Sequence, residues 1–114
     1  MSAISTHVLD LAHGRPAASV PVRLEVHQAA QGWVRLAEGL TDSDGRAKDL
    51  VPEGARLDEG VYRLTFLTGN YYSQHSVRCF HPEVSIVFQV HDGRQRYHVP
   101  LLLSPWGYST YRGS

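Results

Sequence analysis

SVPVRLEVHQ, residues 19–28, alternates with a period of two. Val20, Val22, Leu24 and Val26 fall on one side of an extended chain, and Pro21, Arg23, Glu25 and His27 on the other. A helix would scatter those four apolar residues round its surface. A strand gathers them on one face, so the pattern predicts a half-buried β-strand. The same period recurs downstream. Tyr62, Leu64 and Phe66 share a face in VYRLTFL (61–67), as do Val84, Ile86, Phe88 and Val90 in EVSIVFQVH (83–91). In RYHVPLLLS (96–104), Tyr97, Val99, Leu101 and Leu103 oppose His98, Pro100 and Leu102.

Turn chemistry punctuates these runs at Ala12-His13-Gly14-Arg15-Pro16, Gln31-Gly32, Asp44-Gly45, Glu53-Gly54, Asp92-Gly93 and Ser104-Pro105-Trp106-Gly107. Asp92-Gly93 lies between two strongly alternating runs and predicts a hairpin. Short strands with regular turns point to an all-β sandwich or barrel. TGNYYSQHSVRCF (68–80) has no clean alternation, which fits a short helix or a loop; a helix centred on residues 72–79 is expected there. No repeat or low-complexity tract interrupts the chain, which suits one domain over residues 1–114.

Composition narrows the function classes. Lys+Arg and Asp+Glu both number 11, so the formal net charge is zero. A nucleic-acid partner requires a net or clustered basic surface and is not expected. Near-zero charge provides little colloidal repulsion and is compatible with self-association. The single cysteine, Cys79, cannot form an intrachain disulfide and reads as a small apolar filler. The opening MSAISTHVLDL has no basic segment followed by an apolar one, and no apolar run approaches the roughly 18 residues of a membrane span. The expectation is a cytoplasmic protein with no membrane partner.

One surface does not fit a plain sandwich. In STHVLDL (5–11), His7, Leu9 and Leu11 share a face against Thr6, Val8 and Asp10. His98 and Leu102 share the non-core face of their own run. Leucines beside histidines on an outward face suggest a second burial event, a subunit contact around a cleft; the competing reading is that these residues fill the core. The histidines at 13, 27, 75, 81 and 91 fall in turns or on outward phases. A zinc site needs three or four convergent ligands, and no His-x-x-x-His pair is present, so neither a metal nor another cofactor is expected. Ser104 and Ser109 lack a G-x-S-x-G context, and no acyl-enzyme is expected.

THVLDLAHGRPA (6–17), TDSDGR (41–46), HPEVSIVF (81–88) and YHVPLLLSPWGYSTYRGS (97–114) together resemble the transthyretin-like 5-hydroxyisourate hydrolases, over nearly the whole chain. The closing Tyr-Arg-Gly-Ser is the most specific part of the likeness; Trp106 stands where another aromatic looks more usual. The resemblance implies a transthyretin-like β-sandwich of two four-stranded sheets with one short helix. It also implies a homotetramer, a dimer of dimers, enclosing a channel.

The implied reaction is hydrolysis of 5-hydroxyisourate, a small-molecule substrate, by water attack on a ring acyl carbon. Such a step needs a base for water, a donor for the developing oxyanion and a clamp for a polar heterocycle. The resemblance assigns catalytic roles to His7, Arg46, His98 and Ser114, and substrate binding to His7, Arg46, Tyr111, Arg112 and Ser114. His98 or His7 is the base or water-positioner; the sequence leaves open which, and the two are expected to titrate as a pair. Arg46 brings a guanidinium fork that stays charged, and Arg112 a second one. Gly113 lets the backbone turn, Tyr111 forms wall or lid, and Ser114 offers hydroxyl, N–H and carboxylate. The alternative is a transthyretin-type carrier that binds small ligands without chemistry. A structural sandwich that only assembles is a third reading.

Overall fold

The computed structural model describes residues 3–48 and 50–114. In chain order the elements are β1 (Ile4–Asp10), β2 (Arg15–Pro16), β3 (Pro21–Gln28), β4 (Gly32–Leu40), β5 (Arg46–Ala47), β6 (Gly60–Phe66), α1 (Thr68–Gln74), β7 (Val84–Val90), β8 (Tyr97–Leu103) and β9 (Tyr108–Thr110). One sheet runs β4-β3-β6-β7, all antiparallel. The other runs β2-β1-β8-β9, and β5 also pairs with β1. It therefore has five strands rather than the expected four, because two-residue β2 and β5 take successive stretches of one edge of β1.

The period-two residues form the core. Val22, Leu24, Leu64, Phe66 and Val84 of one sheet meet Ile4, Val8, Val99, Leu101 and Leu103 of the other, all buried. Each such side chain contributes about 1.5–3 kcal/mol by leaving water. Strand β1 alternates strictly, with Ile4, Thr6, Val8 and Asp10 inward and Ser5, His7 and Leu9 outward. Strand β8 lies parallel to it, from Ile4↔Tyr97 to Asp10↔Leu103. This register sets Leu9 beside Leu102 and Ser5 beside His98 on the outward face. The mixed apolar and imidazole surface is therefore real: His7, Leu9, His98 and Leu102 are only half-buried in the single chain, and Leu11 is exposed.

Asp92-Gly93 does not close a hairpin. β7 pairs with β6 and β8 with β1, so this connection carries the chain from one sheet to the other. Gly93 lacks the positive φ of a type I′ turn. It instead passes so close to the main chain of Leu57 that a Cβ would collide with the Leu57 carbonyl. Tyr97 Oη secures the crossing by accepting from His91 N and Asp92 N at 3.2 and 3.1 Å.

The helix also begins earlier than the expected 72–79, at Thr68, and buries Tyr71 and Tyr72. Its start is held from outside: Gly69 N donates to Pro82 O at 2.7 Å, and Thr68 Oγ1 to His81 O at 2.7 Å. It ends at Gln74, and Ser76 just beyond the His75 cap takes φ 56°. Ser76 N then reaches Ser73 O and Val77 N reaches Tyr72 O. That is a Schellman termination with serine in the place glycine usually takes, which hid the end of the helix from a sequence reading.

Candidate active site

A cleft of about 660 Å³ opens beside the outward face of β1 and β8. Its walls include Ser5, Arg46, Lys48, Glu53, Arg96 and His98, and Gly113 and Ser114 close one side. Three pairings of the backbone assemble it. The parallel β1–β8 register sets Ser5 against His98. The β1–β5 pairing sets His7 opposite Arg46. A lone bridge sets Gly113 opposite His98, with Gly113 N donating to His98 O at 2.8 Å.

The turn before Arg46 is built by Asp42. Its Oδ1 accepts from Asp44 N at 2.9 Å and Arg46 N at 3.1 Å, and its own N–H donates to Arg46 O at 2.8 Å. Hydrogen bonding from the Arg46 main chain leads the causes that hold the Asp42 carboxyl below its usual range. Lys48 Nζ adds a pairing at 3.6 Å. His7 joins this turn, its Nε2 2.7 Å from Asp44 O; a carbonyl only accepts, so the ring nitrogen donates.

His98 is half-buried, with Nδ1 2.9 Å from Ser5 Oγ. Burial pushes its pKa below the ordinary 6.5; the Arg46 guanidinium and the His7 imidazole push the same way, against hydrogen bonding at the Ser5 main chain. The ring is therefore neutral at neutral pH and able to take a proton. Arg46, Lys48 and Arg96 outnumber the carboxylates of Glu53 and of Ser114 along the cleft, so it favours an anionic guest.

The single chain thus brings His98, Arg46 and Ser114 to one cleft, with His7 beside Arg46. It does not bring Tyr111 and Arg112 there. The Arg112 guanidinium turns back to Gln95 Oε1 at 3.0 Å and Arg96 O at 3.2 Å, and stacks 4.5 Å over the Tyr97 ring. Tyr111 is exposed and lies with Ile86, Phe88 and Val99 along a separate groove. Arg112 accordingly acts as a clamp on the closing segment, which leaves Gly113 against His98. Ser5, Asp42, Lys48, Glu53 and Arg96 were not anticipated. Asp42 carries a local signal, an acidic residue ahead of an Asp-Gly turn. Arg96 and Glu53 carry none.

The model of the HIUase/Transthyretin family matches residues 4–113. The chain belongs to this family. It is 47% identical over 111 residues to the 5-hydroxyisourate hydrolase of Salmonella typhimurium, covering 97% of this chain and 80% of that one. Among solved structures it resembles Klebsiella pneumoniae 5-hydroxyisourate hydrolase with a TM-score of 0.83 at 33% identity, over 97% of this chain and 92% of that one. It also resembles sea bream transthyretin, solved in complex with thyroxine, with a TM-score of 0.89 at 34% identity, over 96% and 93%. The transthyretin fold is thus common to an enzyme and to a protein solved with thyroxine, so the fold alone does not fix the activity.

Proposed function

We propose that this chain hydrolyses 5-hydroxyisourate to 2-oxo-4-hydroxy-4-carboxy-5-ureidoimidazoline in urate degradation, as a cyclic amide hydrolase. The observation that carries the reading is the convergence of a neutral His98, the Arg46 guanidinium and Ser114 on one cationic cleft, with His7 adjacent. Relatives named for this activity at 42–47% identity support it. A carrier of aromatic ligands has no use for a neutral imidazole beside a fixed cation, so the carrier reading is not favoured despite the common fold.

In the proposed reaction, an imidazole takes a proton from water as its oxygen bonds to a ring acyl carbon. The carbonyl oxygen gathers charge, and Arg46 donates to it. The C–N bond then breaks, and the proton passes to the leaving nitrogen. His7 and Ser114 orient water and substrate, while the Arg112 clamp and Tyr111 hold the segment that carries Ser114.

We further assign the working form as one domain per chain in a homotetramer, a dimer of dimers. Half-buried Leu9 and Leu102 and exposed Leu11, at 58%, support a covering partner on the cleft face. The cytoplasm is the proposed compartment, consistent with the free thiol of Cys79. Among the described residues, no helix is long and apolar enough to cross a membrane.

The test generates 5-hydroxyisourate in situ from urate with urate oxidase and follows loss of its ultraviolet absorbance with and without the protein. Acceleration by the wild type and none by His98→Asn is the expected result. Absence of acceleration by a folded tetramer would turn attention to ligand binding in the channel.

A further inference from the structure

The His98 ring is gripped along both sides. On one, Nδ1 lies 2.9 Å from Ser5 Oγ, a contact set by the parallel register of β1 and β8. On the other, Gly113 closes in so tightly that a Cβ there would stand 2.5 Å from Cδ2. Nδ1 and Cδ2 flank Cγ on opposite edges of the imidazole. Only the tip, Cε1 and Nε2, is left to face the cleft that His98 lines.

The proton on this ring has a defined place. A hydroxyl can donate or accept, so the Ser5 contact alone is compatible with either tautomer. For Nε2 at the tip to serve as a base toward the cleft, the proton of the neutral ring must sit on Nδ1, which then donates to Ser5 Oγ. His7 is arranged the other way round, with Nε2–H given to the Asp44 carbonyl at 2.7 Å.

We infer that Ser5 is a positioning residue: its hydroxyl accepts from Nδ1–H of neutral His98 and thereby turns the Nε2 lone pair into the cleft. This rests on the proposed hydrolase reading and deepens it, because it makes His98 the base and leaves His7 to orient. Nε2 of His98 takes one proton from water as the oxygen bonds to the acyl carbon. The imidazolium keeps Nδ1–H on Ser5 throughout, and Nε2–H is returned to the leaving ring nitrogen as the C–N bond breaks. A fixed tautomer matters because a ring with its proton on the wrong nitrogen presents a donor where an acceptor is needed.

The test reads the tautomer without substrate. Nitrogen-15 NMR of histidine-labelled protein, at a pH above the His98 titration, is recorded for wild type, Ser5→Ala and Ser5→Thr, with His98→Asn assigning the signals. The expected result is Nδ1–H with unprotonated Nε2 in the wild type and in Ser5→Thr, and a shift toward Nε2–H in Ser5→Ala. In the hydrolase assay, Ser5→Ala should lower kcat by about tenfold to a hundredfold with KM little changed, and Ser5→Thr should restore it. Nε2–H in the wild type overturns the inference without any variant. An unchanged tautomer in Ser5→Ala, or an unchanged kcat, also overturns it. If the wild type does not hydrolyse 5-hydroxyisourate, the hydrolase reading fails by itself, and the tautomer measurement still decides whether Ser5 holds the ring.

Discussion

His7 and Asp44 lie 37 residues apart, yet His7 Nε2 is 2.7 Å from the Asp44 carbonyl. That bond ties β1 to the turn that delivers Arg46. Gly45, inside the turn, takes φ +80°, and a Cβ there would stand 2.4 Å from the Val8 carbonyl. Gly45→Ala should therefore cost at least about 1 kcal/mol of stability. It should also lower kcat/KM through displaced Arg46. Urea unfolding beside the absorbance assay checks both; an unchanged kcat/KM would mean that Arg46 tolerates movement of its turn.

Gly113→Ala should act on catalysis rather than on the core. Its Cβ would meet Cδ2, Cγ and Cβ of His98 at 2.5, 3.2 and 3.4 Å, so the ring must move out of its groove. A loss of about tenfold or more in kcat is expected, by misplacement of the proton-transfer group. The melting temperature should shift little, because Gly113 is only half-buried.

The pH dependence follows from His98. Burial, then Arg46 and His7, hold its pKa below 6.5, and the neutral ring is the active form. The rate should rise with pH through a midpoint below 6.5 and then level. Removing one cation by Arg46→Gln should raise that midpoint even as the plateau falls. The sign for stability is the same. Between the folded pKa and 6.5 the unfolded chain binds more protons, so this group's contribution is complete above 6.5 and declines as pH falls through the folded value. A midpoint unmoved in Arg46→Gln would show that the guanidinium does not act on the ring.

Two adjacent tyrosines should respond oppositely to loss of a hydroxyl. Tyr71 Oη donates to the buried carboxylate of Asp10 at 2.5 Å, which also accepts from His13 at Nδ1. Burial, then the Asp10 bond, push the Tyr71 pKa up to about 12. Burial alone would raise the Asp10 pKa, but the bonds from Tyr71 and His13 outweigh it and bring it below 3.8. Tyr71→Phe should cost about 1.5–3 kcal/mol, the usual worth of a hydrogen bond to a charged group. The Tyr72 hydroxyl is buried with no protein partner among the described residues. Tyr72→Phe should then be nearly neutral, because a polar group is removed without orphaning another. Chemical unfolding of both variants tests the contrast. In the wild type, Asp10 adds stability that is present above pH 3.8 and lost as pH falls through its folded value.

The strands were legible because their signal is local. A period of two in 19–28, 61–67, 83–91 and 96–104 is read over four to eight residues, and the buried faces follow it. The two misreadings share a cause. Asp92-Gly93 has hairpin composition, but its glycine is spent on a close approach to Leu57, far away in sequence. The helix starts early because Pro82 and His81 hold its first turn, and no residue within the segment announces that.

The site divides in the same way. His7, Arg46, His98 and Ser114 were found by likeness to a family, and the alternation of β1 and β8 placed the two histidines outward. That Ser5 touches His98, and that Arg112 turns away to Gln95 and Tyr97, depends on register and on how the closing segment folds back. The sequence by itself determined the all-β class, the inward and outward faces, and the residue types available for proton transfer, because alternation and side-chain chemistry are properties of neighbours along the chain. Only the tertiary structure decided which nitrogen of His98 faces the cleft and which arginines line it. Those depend on hydrogen bonds between strands some 90 residues apart, whose register no local pattern encodes.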